Sequence, residues 1–128
     1  MEYKKSSPGT RIQEIERGLP FKEFDTLRNR LEMTQKNMGQ LVGIGHNTLA
    51  HRKRIKRFTK SESERVDRVS RIFHHAKEVF GDEVLARKWL KQPLEYFDGK
   101  TPLQYASTEL GGREVENLLG RIEHGVFS

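Results

Sequence analysis

The run HNTLAHRKRIKR, His46 to Arg57, sets side chains that can read base edges directly before side chains that can hold phosphate. On a helix lying in a major groove, the N-terminal residues His46, Asn47, Ala50 and His51 face the bases, with Thr48 beside them and Arg54 one turn further. The Asn47 amide donates and accepts at once, which matches adenine N6 and N7 and gives about 1–3 kcal/mol of discrimination, while Ala50 offers a contact to a thymine methyl. Arg52, Lys53, Arg54, Lys56 and Arg57 follow as a cationic cluster suited to phosphate, with the steep salt dependence that such contacts carry. Taken alone, the cluster fits a solvated helix face equally well.

Other chemistries find little material. His46 and His51 are five apart, not at the i, i+4 spacing of helical zinc ligands, and His74 and His75 point to different faces of a helix. With no cysteine there is neither a disulfide nor a thiolate metal site. The chain holds no G-x-S-x-G, no glycine-rich phosphate loop and no H-E-x-x-H, and Glu114 and Glu116 read as solvated charge on separate faces. The expectation is a binding protein without catalysis, metal or cofactor.

The 128 residues carry a net charge of +6, unevenly placed. Residues 1–60 hold 14 Lys/Arg against 6 Asp/Glu, and residues 61–128 hold 10 against 12. A basic half joined to a slightly acidic half implies two surfaces with different partners. A mean hydropathy of −0.81 leaves no window with the roughly 20 apolar residues of a membrane span, and the N-terminal MEYKKSSPGT has no apolar core of a secretory signal. A cytoplasmic protein with no membrane partner is expected.

The elements that must position these residues are helices throughout. Thr10 is placed to cap a short helix to Arg17, Gly18-Leu19-Pro20 breaks it, and Pro20 opens a second helix to about Leu31. Thr34 caps Gln35 to Val42, Gly43 closes that helix, and another runs from about His46 to Lys56. Ser61 or Ser63 caps a long amphipathic helix with Val66, Val69, Ile72, Phe73, Ala76, Val79 and Phe80 at three- and four-residue spacing, ending at Gly81. Asp82 caps a helix to about Lys91, Pro93 to Pro102 is a turn region, and two helices follow near Leu103–Thr108 and Arg113–His124. The expected class is all-α: an N-terminal helix-turn-helix bundle in residues 1–60, then a small helical domain in 61–128.

Thr34 to Arg54 reads TQKNMGQLVGIGHNTLAHRKR, in which Gly39 is a small helix contact, Gly43 the turn, and Met38, Val42, Ile44 and Leu49 the apolar set. From Gln35 onward this resembles the phage-repressor (Xre-like) helix-turn-helix family. Arg52 departs from that pattern, which usually has an aliphatic residue there, and Ile55 is a candidate to replace the lost contact. Gly45 stands where a capping Ser or Thr would better hold the second helix.

The remaining half carries a helix ending Phe80-Gly81-Asp82, then Ala86, Trp89 and Leu90, Pro93, Phe97-Asp98-Gly99, Thr101-Pro102-Leu103, Thr108 with Gly111, and Val115, Leu118, Arg121, Ile122 and Gly125. From about Ala76 to Ser128 it resembles the toxin-binding domain of Xre-type antitoxins, the class paired with RES-domain toxins. Phe97-Asp98-Gly99 stands for a more usual Leu-Gly-Gly, and Gly112 for a frequent alanine. Trp89 fits core packing better than a ligand contact, and Leu103, Val115, Leu118, Leu119 and Ile122 form more apolar face than two short helices cover, which points to a homodimer. The resemblance implies an antitoxin that blocks the active-site cleft of an NAD-degrading RES-domain toxin and represses its own operon at an inverted-repeat operator in the bacterial cytoplasm. It implies that Gly125, Val126, Phe127 and Ser128 reach the toxin, with Arg121 and His124 beside them. An apolar Val126-Phe127 pair beyond a helix-stopping glycine also fits a tail folded on its own domain, and Arg121 also fits a surface ion pair with Glu123. A stand-alone dimeric repressor, and a toxin-binding protein that no longer grips DNA, remain open at this point.

Overall fold

Ser7 precedes Pro8, and this pair starts the first helix of the computed structural model, which describes residues 7–125. The Ser7 hydroxyl accepts the Thr10 N–H at 3.3 Å and Pro8 fills the first turn, so α1 spans Pro8–Arg17 and Thr10 lies inside it rather than capping it. Among the described residues the other helices are α2 Phe21–Arg30, α3 Gln35–Leu41, α4 His46–Ile55, α5 Lys60–Phe80, α6 Glu83–Leu90, α7 Pro102–Tyr105 and α8 Glu109–Glu123, with a 3-10 turn at Glu95–Phe97. Among the described residues there is no strand, only an isolated bridge between Pro20 and Arg57. The fold is all-α.

The chain divides into two compact units between Asp67 and Arg68, inside α5. In the first unit Phe21, Phe24 and Phe58 pack ring to ring with centroids 5.3–5.4 Å apart. Leu27, Leu31 and the helix-turn-helix residues Met38, Val42, Ile44 and Leu49 complete that core. Arg11 is buried in it and binds Glu14, Glu23 and Asp67, which tethers α1 to α2 and to the start of α5. Burial alone would lower the Arg11 pKa, but the hydrogen bonds to Glu23 and Asp67 outweigh it and hold the guanidinium above its ordinary value.

α5 is capped by neither Ser61 nor Ser63. Thr59 Oγ1 accepts the Glu62 N–H at 3.2 Å while Glu62 Oε1 accepts the Thr59 N–H at 2.9 Å, a reciprocal capping box. Ser63 instead accepts the Leu19 N–H at 2.7 Å, and Ser61 faces Arg65.

In the second unit Val69, Ile72, Phe73 and Ala76 of α5 pack with Ala86 and Leu90 of α6, Leu103 of α7 and Val115, Leu118 and Leu119 of α8. Phe97 stacks on Tyr105 at 4.3 Å, and half-buried Trp89 meets Phe80 at 5.6 Å. Leu103, Val115, Leu118 and Leu119 are all 4% exposed or less, and Ile122 is half-buried. The surplus apolar face expected from two short helices is therefore not there. The second half of α5 adds three turns of apolar surface to α6 and α7, enough to cover α8.

α8 also starts four residues earlier than expected. Thr108 Oγ1 accepts the Gly111 N–H at 3.0 Å, and the Gly111-Gly112 pair lies inside the helix, not before it. A Cβ on Gly111 would stand 1.8 Å from the Tyr105 carbonyl oxygen and one on Gly112 2.9 Å from Arg68 Cδ, so the glycines mark close approach. α7 is likewise fixed by a capping box, Thr101 with Gln104, and stops at Tyr105, short of Thr108.

Candidate functional site

The first site is built on α3, its turn and α4. Thr34 Oγ1 accepts the Asn37 N–H at 3.0 Å and starts α3. Gly43 takes φ +70° in the turn, and the Ile44 N–H returns to the Gly39 carbonyl at 2.8 Å. A Cβ on Gly39 would lie 3.0 Å from Leu49 Cδ2, so the two helices touch at this glycine. With Leu49 as its buried anchor, α4 turns His46, Asn47, Thr48, Ala50 and His51 to the exterior. Asn47, Ala50, His51 and Arg54 stand at i, i+3, i+4 and i+7 and form one exposed stripe. His51 Nδ1 lies 2.8 Å from an Arg54 guanidinium nitrogen, so the two orient each other.

The five cations that follow are not equivalent. Lys53, Arg54, Lys56 and Arg57 are exposed, and Lys53 lies in the field of the Asp25 carboxylate. Arg52 turns away from the stripe to Glu62, with Nε at 2.7 Å and Nη2 at 3.2 Å from its carboxylate oxygens. Arg57 donates to the Gly18 carbonyl oxygen. Ile55 is half-exposed, so the place of the usual aliphatic contact at position 52 is taken by the Arg52–Glu62 pair and not by Ile55. Gly45 supplies no side-chain cap to α4.

The second site lies where α8 ends. Arg121, His124 and Gly125 are exposed, and Gly125 takes φ +70° after the helix. Val126, Phe127 and Ser128 lie outside the described residues. Arg121 Nη1 donates to Tyr96 Oη at 2.7 Å, while the Glu123 carboxylate faces His75 Nε2 at 3.6 Å, so the side chain beside Arg121 is a tyrosine 25 residues away. Tyr96 is half-exposed and carried no sequence signal, because it reaches Arg121 only through the turn at Asp98-Gly99. Glu116 is not simply solvated charge either: it meets His75 Nδ1 at 3.3 Å and Arg71 at 3.6 Å. Val84, Leu85 and Leu110 are the other large apolar side chains left exposed in this unit among the described residues. Among those residues no group of three or more His, Cys, Asp or Glu side chains is arranged to hold a metal ion, and no helix is long and apolar enough to cross a membrane.

Comparison with known proteins matches both halves. Residues 10–71 fit the antitoxin Xre-like helix-turn-helix domain, and residues 75–125 fit the antitoxin Xre/MbcA/ParS C-terminal toxin-binding domain. An antitoxin Xre of Photorhabdus laumondii is 35% identical over 126 residues, covering 96% of this chain and 85% of the relative. One of Yersinia enterocolitica is 32% identical over 119 residues, covering 91% and 80%. One of Pseudomonas putida is 40% identical over 67 residues, covering 52% of this chain and 42% of the relative. With a helix-turn-helix match followed by a toxin-binding match, and relatives alike along nearly its whole length, this chain belongs to the Xre antitoxin family.

Proposed function

We propose that this chain is the antitoxin of a type II toxin–antitoxin pair in the bacterial cytoplasm, that its partner is a RES-domain toxin degrading NAD, and that it represses their shared promoter. The observation that carries the reading is the order of the two family matches along one chain, the helix-turn-helix in the basic half and the toxin-binding domain in the slightly acidic one. DNA reading belongs to residues 1–60, and toxin binding and dimerisation to residues 61–128.

On the DNA side, Asn47 reads adenine and Ala50 a thymine methyl, His46, Thr48 and His51 flank them, and Lys53, Arg54, Lys56 and Arg57 hold phosphates. The exposed stripe along α4 supports these roles. A homodimer presents two such helices to an inverted repeat, and the second contact becomes intramolecular once the first is made. Val84, Leu85 and Leu110, exposed on the second unit, are the surface available for pairing or for toxin. On the toxin side, Arg121, His124 and Gly125, with Val126, Phe127 and Ser128 beyond them, enter the active-site cleft, and Tyr96 joins them through its hydrogen bond to Arg121.

The test is co-purification with the RES-type protein encoded beside this chain, followed by an assay of NAD loss with and without the chain in excess. A stable complex with suppressed NAD loss is expected. No complex, together with intact sequence-specific DNA binding, would move the function to a free-standing repressor.

A further inference from the structure

The first two turns of α5 reach back to both helices of the helix-turn-helix. Glu62, in the first turn, is 8% exposed and receives two guanidinium N–H groups of Arg52 from the middle of α4. The same carboxylate accepts the Thr59 N–H, so its orientation is set by the capping box before Arg52 arrives. Three residues on, Arg65 Nε donates to the Val42 carbonyl oxygen at 2.6 Å, at the end of α3, and the same nitrogen lies 3.7 Å from where a Gly43 Cβ would be. Neighbouring positions on one face of α5 thus hold α4 by a side chain and α3 by its last carbonyl.

Electrostatics agree with this geometry. The hydrogen bond to Glu62 raises the Arg52 pKa. Burial pushes the Glu62 carboxyl up, and hydrogen bonds from Arg52 and Thr59 more than offset it, leaving it below its ordinary value. A phosphate-binding arginine keeps its donors toward solvent, whereas Arg52 spends Nε and Nη2 on Glu62 and its side chain is only 18% exposed.

We propose that Arg52 and Glu62 are positioning residues for the DNA-reading helix: their ion pair, with Arg65 on Val42, sets the angle between α3 and α4 at which Asn47 and Ala50 meet the bases, and Arg52 touches no phosphate. This rests on the DNA-binding reading given above. It also accounts for an arginine at a position where the Xre-like pattern carries an aliphatic residue, since the pair replaces an apolar contact as the link between α4 and α5.

Positioning and phosphate contact predict opposite signs. Glu62→Gln keeps the capping box, because glutamine serves it as well as glutamate, but removes the charge that holds Arg52. The full-length chain is titrated with a duplex of the promoter region upstream of its own reading frame, and with a scrambled duplex of the same composition, at several salt concentrations. For Glu62→Gln the expected result is affinity for the promoter duplex reduced about tenfold, the usual scale for residues coupled in one network, with scrambled-duplex affinity and salt slope unchanged. The double variant Arg52→Leu/Glu62→Gln, which restores the aliphatic pattern, should recover most of the lost affinity, and this excludes simple failure to fold. Arg65→Met should weaken the promoter duplex in the same selective way. Tighter binding by Glu62→Gln, or a salt slope shallower by about 0.9 in the double variant, would show Arg52 on a phosphate and overturn the proposal. If the unaltered chain bound both duplexes equally, the DNA-binding reading itself would fall; specific binding indifferent to Glu62→Gln would sink the positioning role alone.

Discussion

Three glycines of α8 allow the packing of the second unit to be tested with one substitution type. A glycine inside a helix costs about 1 kcal/mol relative to alanine, so each Gly→Ala change gains that much before packing is considered. At Gly120 nothing lies within 4 Å of the new Cβ, and the full gain of about 1 kcal/mol should appear as stabilisation. At Gly112 the nearest atom is Arg68 Cδ at 2.9 Å, part of a flexible side chain that can shift, and the net change should be close to zero. At Gly111 the obstacle is the backbone carbonyl of Tyr105 at 1.8 Å, with Thr108 Oγ1, the helix cap, at 3.0 Å. Clearing that carbonyl means moving α7 or breaking the cap. Overpacking costs about 1–3 kcal/mol and more against rigid backbone, so a loss near 3 less a gain near 1 leaves Gly111→Ala destabilised by about 2 kcal/mol. Thermal melts followed by far-UV circular dichroism at fixed protein concentration should then rank Gly120→Ala above the unaltered chain, Gly112→Ala beside it, and Gly111→Ala lower by roughly 8 °C. A Gly111→Ala protein as stable as the parent would refute the close approach of α7 to the first turn of α8, and with it the account of why α8 begins at Glu109.

Arg11→Met should cost about 3 kcal/mol in urea denaturation of the first unit, since it strips a buried cation from Glu14, Glu23 and Asp67; a change below about 1 kcal/mol would mean the cluster is only incidental. Asp25 and Glu62 are both held below their ordinary values of 3.8 and 4.5, Asp25 by hydrogen bonds from Arg28 and Gln35, Glu62 by those from Arg52 and Thr59 that overcome its burial. A depressed carboxyl stabilises fully above its unfolded pKa and loses that contribution as pH falls through the folded value. Melting temperature should therefore show no loss from these groups down to about pH 5 and a fall below about pH 4.5, less steep in Glu62→Gln; identical acid slopes would count against the pairing. Asn47→Ala should weaken the promoter duplex about 5- to 150-fold while leaving salt slope and toxin neutralisation intact. Deleting Val126 to Ser128 should do the reverse, and damage by both changes to both activities would break the division into two surfaces.

Much of the fold is legible because its signals are local. Thr34, Asp82, Gly43 and Gly81 mark helix ends through their own side chain or their own φ, and each acts within three residues. The apolar spacing from Val66 to Ala76 needs only the helical period to place one buried face. What escaped was tertiary. Gly111-Gly112 resembles a break until Tyr105 and Arg68 are seen against it. The buried face of α8 looks excessive until the second half of α5 covers it, and a sequence cannot tell which of its helices an apolar face will meet. The start of α5 is ambiguous for a local reason: Thr59-Lys60-Ser61-Glu62 and Ser61-Glu62-Ser63-Glu64 both carry the capping-box pattern, and only the geometry chooses Thr59.

The candidate DNA site shows the same limit in its charges. His46, Asn47, Ala50 and His51 could be placed on the exposed side of α4 from the spacing around Leu49, but the cations after them could not be sorted. Within HRKRIKR each is a long basic side chain, and what distinguishes Arg52 is a carboxylate ten residues further on, past a helix end and a new cap. Arg57 is distinguished by a carbonyl 39 residues back. Composition therefore overstates the phosphate-facing charge. The Arg52 charge is balanced by Glu62, whereas exposed Arg57 gives one N–H to a neutral carbonyl and keeps its charge, so about four cations per chain remain and this cluster should contribute a log–log salt slope near −3.6 per bound chain and not the −4.5 that all five would give at about −0.9 each. A slope near −4.5 from this cluster, measured as the difference between the unaltered chain and one with all five cations replaced by glutamine, would mean that Arg52 leaves Glu62 on DNA and that the α4–α5 link is made only in the free protein.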